Sequence, residues 1–203
     1  MNQEPHTHNQ QIPSDAHGAP GSQPSMANMA LEFIRDGDVV GLGTGRAATA
    51  FVRALGDAVK AGLRVTAVST SQVTAALAAQ LAIPLATLDE VSSIDVTFDG
   101  ADEVDPRLDL IKGYGGALIR EKIVAAMSRE MIVIIDEKKL VYRLGACKLP
   151  VEILPFAHQA TALHLSKIGY HGGWRKKSDG SFYLTDNKNY VFDIQFSGPC
   201  EHP

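Results

Sequence analysis

Glu121, Lys112 and the acids Asp99, Asp102, Glu103 and Asp105 crowd into one stretch, FDGADEVDPRLDLIKGYGGALIREK, from Phe98 to Lys122. The acids close an apolar run, a lysine follows, and a glycine loop opens a helix. Charge set beside a core carries a desolvation cost, so such a cluster calls for a reason. Carboxylates at this density suit a divalent cation. They also suit a solvated turn with one acid capping a helix, the plainer reading for Glu103 and Asp105. A third chemistry is proton transfer beside a carbonyl. It needs a carboxylate of raised pKa, a cation and donors for a developing oxyanion. Glu121, just past the first turn of its helix, is the candidate base. Gly113, Tyr114, Gly115 and Gly116 supply a nest of amides behind Lys112. Asp99 follows its apolar run directly, Gly100 and Ala101 leave room beside it, and Lys112 is its natural counter-charge.

A second glycine motif lies upstream. Gly43-Thr44-Gly45-Arg46-Ala47-Ala48 fits G-x-G-x-x-A after an apolar run. The glycines permit close backbone approach, and the exposed amides of a helix start attract an anion. A dinucleotide would also call for an acid ending the next strand, to hold a ribose. That strand ends in Ser69, Thr70 and Ser71, so a phosphate is favoured over a dinucleotide, with a ligand-free tight turn as the plain alternative. Arg46 either clamps the phosphate or points to solvent. Of Lys138 and Lys139, one is placed to reach a phosphate and the other reads as surface charge. His158 and His164 fall on a helix away from these loops and read as structural. Together the motifs imply a site that holds a sugar phosphate and moves a proton on it, with no metal and no cofactor.

The elements that must position these residues follow from hydrophobic spacing. Met26, Met29, Ala30 and Phe33 lie at helical spacing. Asp38–Gly43 reads as a strand, Arg46–Lys60 as a helix with Phe51, Leu55 and Val59 on one face, and Leu63–Val68 as a strand. A helix follows from about Ser71 to Leu81. Leu85–Leu88, Ile94–Phe98 and Leu108–Ile111 read as strands, Ala117–Glu130 as a helix and Met131–Ile135 as a strand covered on both faces. This alternation predicts an α/β, doubly wound, mainly parallel sheet, whose binding sites lie at strand C-termini. The glycine turn, the Ser-Thr-Ser, the acids after Phe98 and Asp136 all fall there, so the separate motifs converge on one pocket.

After Leu149 the texture changes to a strand, a helix and then Phe182–Leu184 and Tyr190–Ile194 flanking TDNKN as a hairpin. That pattern predicts a second, smaller α+β (ferredoxin-like) lobe. The chain stops at FSGPCEHP with nothing to complete the layer, so the lobe is expected to be incomplete. Residues 1–24 carry little to bury and read as a disordered tail. The expected division is 1–24 tail, 25–146 Rossmann-like catalytic domain and 147–203 partial lobe.

Composition narrows the class. The 203 residues are 45% hydrophobic and 21% charged, ordinary for a globular chain, and the net charge of −4 argues against nucleic acid or an anionic membrane as partner. No apolar run approaches a membrane span, and the N-terminus lacks the pattern of a secretory signal. Cys147 and Cys200 read as reduced thiols of a cytoplasmic protein rather than as one bridge.

The segments GLGTGRAATAF, STS, FDGADEVDPRLDLIKGYGGALIREKIVA, IIDEKKLV, LGACKLPVEILPFA and TDNKNYVFDI resemble type A ribose-5-phosphate isomerase, in family order over about residues 26–199. The resemblance implies cofactor-free interconversion of ribose 5-phosphate and ribulose 5-phosphate through a cis-enediolate, in a homodimer or homotetramer. It implies that Glu121 shuttles the proton between C1 and C2. Asp99 and Asp102, with Gly100 and Ala101, hold sugar hydroxyls and assist ring opening or oxygen proton transfer. Lys112 and the Gly113, Tyr114 and Gly115 loop stabilise the enediolate. Thr44, Gly45, Arg46, Ala47 and Lys139 hold the substrate and its phosphate. Three departures stand out. Arg46-Ala47 replaces the usual Ser-Thr, Gln23-Pro24 stands where a lysine often approaches the phosphate, and the family pattern continues past Pro199 with elements that complete the small lobe. A non-catalytic sugar-phosphate sensor on the same fold, or an inactive fragment of it, is the alternative. A dinucleotide-dependent oxidoreductase is the more distant one.

Overall fold

The computed structural model describes residues 25–200. The expected tail at 1–24, with its Gln23-Pro24 departure, lies outside them. In chain order the elements are α1 (Met26–Ala30, continued by a 3-10 turn at Leu31–Phe33), β1 (Val39–Leu42), α2 (Arg46–Lys60), β2 (Thr66–Ser69), α3 (Gln72–Gln80), β3 (Ile94–Asp99), β4 (Glu103–Val104), β5 (Leu110–Ile111), α4 (Leu118–Ala126), β6 (Ser128–Val133), β7 (Leu149–Ile153), α5 (His158–Lys167), β8 (His171–Trp174) and β9 (Tyr190–Gln195). Among the described residues no helix is long and apolar enough to cross a membrane.

The main sheet is fully parallel, in the order β2-β1-β3-β6. Adjacent residues of β2 show that it is covered on both faces, as the alternation of a strand requires. Ala67 packs with Phe51, Val52 and Leu55 of α2, whereas Val68 packs with Ile94 and with Val124 of α4. The Phe51 and Phe98 rings stack at 4.1 Å between centroids, tying α2 to β3. Each such fully buried side chain contributes about 1.5–3 kcal/mol. The chain runs outward from β1 to β2, then crosses back to β3 on the other side of β1. The crevice at such a reversal, beyond the strand C-termini, is where an open α/β sheet binds ligands. The glycine turn after β1 and the acids after β3 both end there.

The second unit is a βαββ arrangement with an antiparallel sheet in the order β7-β9-β8. Its core is Ile153, Phe192 and Ile194, closed by Leu165 of α5 and by Trp174.

Several boundaries differ from the spacing. The Ala117–Glu130 helix stops at Ala126, and Ser128–Glu130 join the strand. Arg, Glu and Met favour helix in isolation, but pairing of Ile94 with Ser128 and Val96 with Glu130 wins. The resulting β6 is an edge strand in which Met131–Val133 are only half-buried, not a strand covered on both faces. Leu85–Leu88 shrinks to a single bridge from Leu85 to Ala67. The Phe182–Leu184 arm of the hairpin makes only the bridge from Phe182 to Lys176, and β9 pairs instead with β7 and β8. The sequence of β8, HGGW, hides it, because paired glycines depress strand propensity. In α1 the buried residues are Ala27 and Ala30, while Met26, Met29 and Phe33 are at least half exposed.

Candidate functional site

Asp99 ends β3, only 1% exposed, and it is the hub of the site. Its Oδ1 accepts the Gly100 amide at 2.8 Å and the Thr44 amide at 3.2 Å. Its Oδ2 accepts Lys112 Nζ at 2.9 Å. One carboxylate therefore joins the turn after β1 to the strand and lysine that follow. The space for it is made by Gly43, where a Cβ would stand 2.2 Å from Asp99 Oδ1.

Lys112 also donates to the Gly100 carbonyl and lies 3.5 Å from Glu121 Oε2. Glu121 projects from the first turn of α4 and is 5% exposed. Burial, then the Asp99 charge, push its pKa from 4.5 to about 7, with the Lys112 charge pulling the other way. A carboxylate tuned there is a competent base at neutral pH.

Above this trio lies a cavity of about 390 Å³, lined by Thr44, Gly45, Arg46, Ala47, Gly100, Ala101, Asp102, Lys112, Gly113, Tyr114, Gly115, Glu121, Ile134, Ile135, Asp136 and Lys139. It gathers the residues expected on its wall from five separate loops and helix starts. Asp99 lies beneath the wall rather than on it. The N-terminus of α2 faces the cavity with no side-chain cap, and Gly45 at φ 108° makes that entry. Arg46 is exposed at the rim, and Lys139 reaches the wall while Lys138 stays on the surface. The Thr44 hydroxyl is engaged away from the cavity, by Thr70 Oγ1 and Ser71 Oγ, each at 2.8 Å. Those two hydroxyls belong to the Ser-Thr-Ser at the end of β2, and they brace the glycine turn.

The glycine loop is held from two sides. The Tyr114 amide donates to Asp102 Oδ2 at 3.0 Å, and the Gly116 amide to the Gly113 carbonyl at 3.0 Å. Gly116 sits at φ 80°, and a Cβ there would fall 2.3 Å from Tyr183 Oη.

Glu103 and Asp105 are not solvated. They are 4% and 6% exposed. Glu103 accepts the Gly145 amide at 2.7 Å and the Cys147 amide, at the passage into the second unit. Asp105 accepts the Arg107 and Asp109 amides at 2.9 and 3.0 Å. Both organise backbone. Among the described residues no three His, Cys, Asp or Glu side chains gather as a metal site. Cys147 and Cys200 are free thiols, and burial, then Glu103, push the Cys147 thiol up to about 12. His158 packs edge-on to Trp174, Phe182 and Tyr190 in the second unit.

Spacing gave no warning of Arg175 and Tyr183, which reach the glycine loop from the second unit. No motif marks them, since their partners are backbone carbonyls more than sixty residues away.

Known proteins resemble this chain in sequence and fold. The family model for ribose 5-phosphate isomerase A (phosphoriboisomerase A) covers residues 66–203. A ribose-5-phosphate isomerase A from Parvibaculum lavamentivorans is 50% identical over 173 residues, 82% of this chain and 75% of the relative. A solved D-ribose-5-phosphate isomerase in complex with phospho-erythronic acid superposes with a TM-score of 0.83 at 40% identity, over 87% of this chain and 78% of that one. The Methanocaldococcus jannaschii ribose 5-phosphate isomerase A structure gives 0.81 at 40% identity, over 84% and 77%. With the parallel sheet, the antiparallel lobe and this degree of identity in agreement, the chain belongs to the ribose 5-phosphate isomerase A family.

Proposed function

We propose that this protein interconverts ribose 5-phosphate and ribulose 5-phosphate, an intramolecular oxidoreduction of the non-oxidative pentose phosphate pathway, without a cofactor. The observation that carries the reading is the buried Glu121 carboxylate, 3.5 Å from Lys112, on the wall of a cavity roofed by two glycine loops. The phospho-erythronic acid of the solved relative is a sugar-acid phosphate of the same class as the proposed substrate.

In this reading the α2 N-terminus, Arg46 and Lys139 hold the phosphate. Glu121 takes the C2 proton of the open-chain aldose. The electron pair forms the C1–C2 double bond and the carbonyl pair moves onto O1. Lys112 and the Gly113 and Gly115 amides, which the loop's own turn does not use, meet that charge. Asp102 carries the O2 proton to O1. Glu121 then returns its proton to C1, and O2 becomes the ketose carbonyl. Asp99, already saturated by Lys112 and two amides, holds the lysine in place.

We read residues 25–146 as the catalytic unit and 147–203 as the smaller lobe, in a cytoplasmic homo-oligomer. Phe156, Leu154 and Leu163, respectively 88%, 68% and 59% exposed, support assembly through the smaller lobe, and light scattering tests it.

The assay is ribose 5-phosphate with purified protein and EDTA, following ketose formation. Turnover is expected. Thermal stabilisation by ribose 5-phosphate without ketose would instead identify a sugar-phosphate sensor. Activity lost to EDTA and restored by a divalent ion would overturn the metal-free route.

A further inference from the structure

Arg175 follows β8 in the smaller lobe, yet its side chain is only 13% exposed because it reaches back to the glycine loop. Its Nη2 and Nε pair with both oxygens of Asp193 on β9, at 2.5 and 3.1 Å. The remaining arm, Nη1, donates to the Tyr114 carbonyl at 2.8 Å. The guanidinium centre lies 5.9 Å from the Tyr114 ring and 5.6 Å from the Tyr183 ring. Tyr183 Oη in turn donates to the Gly115 carbonyl at 3.3 Å. Asp193 also holds Lys148 at 2.5 Å, so this carboxylate is a fixed base for the arginine.

A trans peptide is planar, with its C=O and the following N–H pointing opposite ways. Holding the Tyr114 carbonyl toward Arg175 therefore turns the Gly115 N–H the other way, and Gly115 lines the cavity. The loop needs such a restraint. Gly113, Gly115 and Gly116 leave its peptides free to rotate, and Asp102 fixes only the Tyr114 amide, on the other side of that residue.

We propose that Arg175 is a positioning residue, a latch from the smaller lobe that aims the Gly115 amide at the developing oxyanion. The kinetic part of this rests on the isomerase reading above. The contact with the loop does not.

The test uses the full chain with Arg175→Gln and Arg175→Lys. Lys148 still pairs with Asp193 in both, and a melting curve of each variant separates loss of the fold from loss of the latch. Lysine preserves the charge but offers one nitrogen in place of three fixed in a plane, so it cannot hold both Asp193 oxygens and the Tyr114 carbonyl in this geometry. Both variants are expected to lose about ten- to a hundredfold in kcat, with KM near wild type because the phosphate is held elsewhere. Amide hydrogen exchange over residues 113–116 is expected to quicken in both. Wild-type kcat in Arg175→Lys would reduce the residue to a charge for Asp193 and overturn the latch. Unchanged exchange at 113–116 would overturn it whatever the turnover. A wild-type protein that does not isomerise ribose 5-phosphate overturns the function and the kinetic claim, while exchange still decides the contact.

Discussion

Lys112 Nζ stands 3.5 Å from Glu121 Oε2 while donating at 2.9 Å to Asp99 Oδ2. The lysine is committed to Asp99 and only adjacent to Glu121. That asymmetry leaves one carboxylate saturated with donors and the other, Glu121, with its pKa raised by burial to about 7. Two carboxylates in one buried site with different environments are how a fold separates a structural acid from a working base.

Glu121 provides the sharpest expectation. In the proposed reaction it must be deprotonated to act, so kcat/KM should rise with pH through an acid limb near 7, the value to which burial and Asp99 bring it. Glu121→Gln should cost about two to four orders of magnitude in kcat while ribose 5-phosphate still binds. Turnover of the Glu121→Gln variant near the wild-type rate would remove Glu121 as the base.

The same residue should weaken the fold at high pH. Its pKa is raised on folding from 4.5 to about 7, so the folded state binds the proton more tightly than the unfolded chain. Its contribution to stability is whole below the unfolded value and lost as pH rises through the folded one. Glu121→Gln should therefore melt higher than wild type at pH 8, with the difference shrinking toward pH 5. Parallel melting curves against pH would refute the burial of an ionising group there.

Lys112→Met removes the one charge that pulls the Glu121 pKa down. The acid limb should move to higher pH, and kcat should fall by about a hundred- to a thousandfold for loss of a donor to the oxyanion. A variant with lower kcat but an unmoved limb would separate the lysine from Glu121.

Glu103 is a different kind of acid. It holds two amides, those of Gly145 and Cys147, and glutamine can accept with only one terminal atom. Glu103→Gln should cost about 1–3 kcal/mol of stability for the orphaned amide, read by denaturant unfolding, with kcat near wild type. A large kcat loss at unchanged stability would move Glu103 into the site.

The sequence alone was enough for the alternation of strands and helices, for α2 to its ends and for the two glycine turns. These are local properties. Hydrophobic period and turn chemistry act over a few residues, and the reversal of strand order then carries the loops to one crevice without further instruction. It misjudged β6 and β8, where local preference for helix or for no structure yields to pairing with β3 and β9.

The sequence already paired Asp99 with Lys112, but only the tertiary structure gave the other acids of FDGADEVD their separate partners. Asp99 holds Lys112, Asp102 holds the Tyr114 amide, Glu103 holds the passage to the smaller lobe and Asp105 caps its own turn. The four fall within seven residues and are chemically alike, and although Asp99 stands out by closing an apolar run, nothing along the chain names the donors that Asp102, Glu103 and Asp105 hold. Packing brings those donors within about 3 Å, and a buried carboxylate is defined by them. Arg175 belongs to the same class: an ordinary cation in the sequence, given its role by a carbonyl 61 residues away.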